Sequence, residues 1–124
     1  MQKYTGEILI SGTIMLLLDM CYITINKKMF DDQIIEVQRV ILQARYTPAI
    51  LCYILLILGL YYFIIRKQES ILDAFLFGIV IYGVYETTNY TIFKKWNPVT
   101  VIVDTLWGGI LMSTTTWFTY RLMN

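Results

Sequence analysis

Three acids in this chain stand where acids are costly. Asp19 lies within the apolar stretch 14–25, Glu86 near the end of 71–93, and Asp104 within 99–112. An ionisable side chain inside a segment able to cross a bilayer marks a functional position by default. Carboxylates crowded in a low dielectric cannot all carry charge. Such a cluster can trade a proton for a hard cation, with Asp19, Glu86, Asp104 and the Asn89 amide oxygen as ligands, or work as a paired acid and base. The chain has no histidine, which removes histidine triads, histidine metal sites and the usual near-neutral proton shuttle. Proton chemistry therefore falls to carboxylates. No dedicated metal centre and no cofactor are expected. Cys21 and Cys52 both fall inside apolar runs and read as buried, reduced thiols.

The elements that must position these acids are membrane spans. Of the 124 residues, 57% are hydrophobic, more than a soluble domain of this size carries. Apolar runs at about 8–25, 48–65, 71–93 and 99–121 each approach the ~20 residues that cross a bilayer as a helix. A closed barrel would show short alternating segments, which are missing here. A soluble four-helix bundle needs a polar face on every helix, and 49–65 has none. The expectation is an all-α polytopic membrane protein forming a single domain over 1–124, with a first span retained after insertion rather than cleaved.

Polar residues fall into stripes along three of the spans. Gly12, Met15, Asp19, Tyr22 and Asn26 recur at three or four residues, as do Gly78, Tyr82, Glu86 and Asn89, while Thr100, Asp104, Trp107, Gly108, Leu111 and Thr115 lie along one face of the fourth span. Each stripe faces neighbouring helices while its back faces lipid. The second span, opened by Pro48, carries no acid and reads as scaffold. Ser70 and Asp73 form a cap at the start of the third, which takes Asp73 out of the site. Ser113 to Thr116 read as hydroxyls bonded one turn back. Between the first and second spans, residues 26–47 are too charged to cross. Phe30, Ile34, Val37 and Ile41 recur at helical spacing, so a short amphipathic helix lying in the interface is expected, capped by Asp31 or Asp32. Tyr4, Tyr61, Tyr62, Trp117 and Tyr120 are expected as an aromatic belt on the side of the termini, and Tyr46, Tyr90 and Trp96 on the other.

Helical rise places all three acids at one depth, about 9 to 12 Å below the surface carrying loops 26–47 and 94–98. A shared pocket opening toward those loops follows, with Tyr22, Tyr82 and Trp107 as walls. Lys27, Lys28, Arg39, Arg45, Lys94 and Lys95 lie on that side and Lys3, Arg66, Lys67 and Arg121 on the other. The excess puts the loops in the cytoplasm and the termini outside.

Three motifs carry a family resemblance over nearly the whole chain: Leu18-Asp19-x-x-Tyr22, then Tyr85-Glu86-x-Thr88-Asn89 followed by Trp96-x-Pro98, and Asp104-x-x-Trp107-Gly108. Together they resemble an uncharacterised family of small four-span membrane proteins of bacteria and some large DNA viruses, classed as a domain of unknown function. In that family the Glu86 position is usually Asp and the Tyr22 position usually Trp. The resemblance implies the fold and the site positions, and no established activity.

The expected partners are the lipid bilayer and either protons or hard cations passed by a small channel or carrier, or a lipid-like molecule held by a membrane-embedded enzyme or binder. A third possibility is a polar core that only holds the helices together. Four short helices enclose little volume, so a homodimer would widen any pathway. A net charge of +1 gives no reason to invoke nucleic acid.

Overall fold

The computed structural model of the protein describes residues 2–38 and 46–123. Five helices joined by short connections make up that range: α1 (Gln2–Ile25), α2 (Lys27–Gln38), α3 (Tyr46–Leu60) prolonged by a π-helical turn at Tyr61–Ile65, α4 (Ile71–Ile92) and α5 (Pro98–Met123). Four of these segments, Lys3–Ile25, Tyr46–Ile65, Ile71–Ile92 and Pro98–Met123, are long and apolar enough to cross a membrane. The protein is an integral, multi-pass membrane protein. The many large apolar side chains left exposed on the isolated chain, such as Leu17, Met20, Leu55, Val80 and Ile102, form the surface that such a protein presents to lipid.

Helix α5 is the most buried of the four spans. Its pairing with α4 is the closest in the molecule, and glycine makes that approach feasible. A Cβ added at Gly78 would meet the Gly108 carbonyl oxygen at 2.0 Å, and one at Gly108 would fall 2.4 Å from the Tyr82 ring. Small residues at a helix crossing let backbones touch where a side chain would hold them apart. Below the site, Met15, Leu60, Leu111 and Met112 are fully buried and pack into a dry apolar layer.

Local chemistry sets the helix ends. The Ser70 hydroxyl accepts from the Asp73 N–H at 3.0 Å, the predicted cap. Asn97 caps α5 by accepting from the Val99 N–H at 2.8 Å, and Pro98 takes the first helical position, where a missing N–H costs nothing. Three residues past the π turn, Gln68 takes a left-handed φ of 55°. The Tyr120 hydroxyl from α5 donates to the Glu69 carbonyl at 2.7 Å, supplying a donor that a frayed helix end otherwise lacks.

Several expectations need correction. Helix α2 does not begin at Asp31 or Asp32. It follows α1 after a single break at Asn26, whose side-chain amide donates to the Tyr22 carbonyl at 3.0 Å. Asp31 instead pairs with Lys27 one turn earlier at 2.6 Å. Ile41, Arg39 and Arg45 lie outside the described residues. Tyr120 and Trp96 do not join the aromatic belts, since Tyr120 turns toward the carbonyls of the π turn and Trp96 is buried beside Phe93. Cys21 and Cys52 are free thiols but exposed rather than buried. Of the hydroxyl run, Ser113 bonds one turn back to Ile110 at 3.1 Å, while the buried Thr115 and Thr116 oxygens have no partner.

Candidate functional site

The stripes of α1 and α5 meet at the acids. Asp19 is buried and accepts two hydrogen bonds, one from the Trp107 indole N–H at 3.0 Å and one from the Tyr53 hydroxyl. Asp104, also buried, accepts from the Tyr22 hydroxyl at 3.2 Å. The rings that make these bonds are themselves in contact. Tyr22 stacks on Trp107 with centroids 4.5 Å apart and planes 2° from parallel, and Phe30 of α2 meets the Tyr22 edge at 5.7 Å. The two carboxylates are thus joined through an unbroken chain, Tyr53 to Asp19 to Trp107 to Tyr22 to Asp104. Every donor in it is a neutral hydroxyl or indole.

Among the described residues no basic side chain enters this arrangement, and the one ion pair joins Lys27 and Asp31 outside the bundle. Burying a carboxylate without an opposite charge is strongly unfavourable, and neutral hydrogen bonds offset only part of that cost.

Asp19 and Asp104 open onto a cavity of about 400 Å³ walled by Tyr22, Phe30, Tyr53 and Tyr82, with Cys52, Leu56 and Ile81 along one side. Phe30 of α2 is part of that lining. The cavity adjoins an apolar groove between α3 and α4, lined by Pro48, Leu51 and Leu55 and sharing Cys52, Leu56 and Ile81 with it. At the far end of the two spans Phe63 and Phe77 sit 6.1 Å apart.

Glu86 is placed apart from the other two acids. It is fully buried, lies outside the cavity lining, and neither of its oxygens has a hydrogen-bond partner. It is near enough to Asp104 to interact with it electrostatically, and the Trp96 indole N–H lies close by on the loop side. That N–H falls short of hydrogen-bond geometry and has no other partner. Trp96 is held inward by Gln33 of α2. The buried Gln33 amide donates to the Lys95 carbonyl at 2.7 Å and accepts from the Asn97 N–H at 2.6 Å, stapling α2 onto the 93–97 connection.

Of the residues singled out in the sequence, the structure brings Asp19, Tyr22, Trp107 and Asp104 into direct contact and sets Tyr82 in the cavity wall. Asn89 is half-buried, and no hydrogen bond joins it to the acids. No group of three metal-ligating side chains occurs among the described residues, so the three acids do not converge as a chelate. Tyr53 and Gln33 were missed. Tyr53 sits in a span that otherwise reads as scaffold, and its one signal was a hydroxyl placed mid-span among aliphatic residues.

Helices that cross the membrane, with buried carboxylates held between them, define an all-α polytopic membrane protein. The chain belongs to the family described as "Predicted membrane protein (DUF2177)", whose pattern it matches over residues 4–121. No curated protein and no solved structure matches it significantly.

Proposed function

We propose that this protein binds protons or monovalent cations at the Asp19–Asp104 site and passes them across the membrane as a carrier. The observation that carries this reading is the imbalance of charge. Among the described residues, the two buried carboxylates receive hydrogen bonds only from Tyr22, Tyr53 and Trp107 and have no basic partner, which favours neutralisation by a species from outside the protein. Protons and cations are the species able to do so. A carrier fits better than an open pore because the layer of Met15, Leu60, Leu111 and Met112 closes the path on the far side of the acids. Buried Ser11, Thr115, Thr116 and Thr119 resume a polar path beyond it.

A second reading, a binder of or enzyme for a neutral lipid-like molecule, is favoured by the apolar groove between α3 and α4. The two readings part on charge. With purified protein in liposomes loaded with a pH-sensitive dye, cation-driven or proton-driven flux is expected to fall at least ten-fold in Asp104→Asn and in Asp19→Asn. Thermal stability in detergent serves as the check that each variant is folded. Flux indistinguishable from empty liposomes in the wild type would remove the carrier reading.

A further inference from the structure

The cavity also constrains what kind of cation it takes. We infer that its cargo is a monovalent organic cation, an ammonium group carried on an apolar body, which enters sideways from the bilayer between α3 and α4. This rests on the cation-handling reading above and names the class of ligand for the same site.

Three independent features point to it. The first is the wall chemistry: Tyr22, Phe30, Tyr53 and Tyr82 surround two carboxylates in about 400 Å³. That volume suits a drug-sized ligand, and an organic ammonium gains both from carboxylates and from aromatic faces once it is desolvated. A small inorganic cation gains little from such walls. It needs a shell of oxygen ligands to replace its water, and no cluster of three metal-ligating side chains is found among the described residues.

The second feature is the route. The groove that adjoins the cavity is faced by Pro48, Leu51 and Leu55, and among the described residues this apolar surface offers nothing to stabilise a hydrated ion. A lipophilic cation dissolved in the bilayer meets no polar barrier there until it reaches the acids.

The third is Glu86. It is fully buried with both oxygens unpartnered, and it lies near enough to Asp104 for the two acids to interact electrostatically. A positive charge at Asp104 is favoured by this second acid as well, although Glu86 itself lies outside the cavity.

The test compares two probes of nearly the same shape, benzyltrimethylammonium and its uncharged carbon isostere neopentylbenzene. Each is titrated into the purified protein in nanodiscs, with Trp107 fluorescence as the readout because that ring is stacked on Tyr22 beside the site. The cation is expected to bind saturably and at least ten-fold more tightly than the isostere, with that preference lost in Asp104→Asn. A second measurement does not depend on the folding of an acid variant. In Cys21→Ser protein, a membrane-soluble maleimide should label Cys52 at the groove, and the cation should slow that labelling while the isostere does not. Equal binding of the two probes, or no binding of the cation by the wild type, overturns the assignment. Asp104-dependent flux of protons or potassium in the same preparation reports separately on the carrier reading. If that flux persists when the organic cation fails to bind, only the cargo assignment falls.

Discussion

The α4–α5 contact gives a prediction whose size follows from the coordinates. Alanine at Gly78 would place its Cβ 2.0 Å from the Gly108 carbonyl oxygen and 2.5 Å from its carbon. These are backbone atoms of the facing helix, so no side chain can turn aside, and restoring a separation of ~3.5 Å requires the helices to part by about 1.5 Å. Gly83 on the same helix is the control. A Cβ there meets only the Thr105 methyl at 3.4 Å. Both substitutions gain about 1 kcal/mol of helix propensity, which cancels between them. What remains is the overpacking term, about 1–3 kcal/mol where neighbours can adjust and at the upper end here because they cannot. Gly78→Ala is therefore expected to be less stable than Gly83→Ala by about 2 kcal/mol or more, roughly a thirty-fold shift in the unfolding equilibrium. Reversible unfolding by SDS in mixed micelles, followed by helical circular dichroism, measures the difference. Near-ultraviolet dichroism reports the aromatic stack in the same samples. Equal stability of the two variants would refute the close backbone approach.

Three further outcomes are expected. In a double-mutant cycle, Asp19→Asn and Asp104→Asn should show an interaction energy above about 0.5 kcal/mol in detergent unfolding, because the Tyr22–Trp107 stack links their hydrogen bonds, whereas unlinked sites would add. Tyr53→Phe should lose about 1–3 kcal/mol by taking a donor from buried Asp19, while Tyr46→Phe, at an exposed ring, should change stability by less than about 0.5 kcal/mol. Glu86→Met should raise stability by about 1–3 kcal/mol, since it removes two buried oxygens that have no partner, and should weaken cation binding at Asp104; lower stability would mean that Glu86 is satisfied in the folded protein.

Much of the site was legible in the sequence because polar residues in an apolar span stand out, and helical periodicity then fixes which of them share a face. That logic places Asp19 beneath Tyr22 on α1 and Asp104 beside Trp107 and Gly108 on α5, and all four acid and aromatic groups meet as the spacing requires. Periodicity is silent about how one helix is rotated against another. Tyr53 became a partner of Asp19 through the rotation of α3, and nothing in the aliphatic sequence around it encodes that choice. Depth estimates likewise set Glu86 level with the other acids but did not show that it lies outside the cavity they share. Trp96 illustrates the same limit. Its position next to a loop suggested an interfacial belt, yet Gln33, more than sixty residues away in sequence, holds its segment inward through two hydrogen bonds.

The central place of α5 has a consequence for how the protein is made. Chains emerge from the ribosome in sequence order, so α1 with Asp19 and α4 with Glu86 are synthesised before α5. Until then Asp19 lacks the Trp107 indole, and the glycine face of α4 has nothing to pack on. A carboxylate within a span costs up to about 2.5–3.5 kcal/mol to insert, the upper figure holding at the helix centre, and the early helices bear that cost without their final neighbours. Assembly then hinges on the arrival of α5, and a nascent chain halted before Pro98 is expected to be retained by the insertion machinery or degraded rather than released into the bilayer.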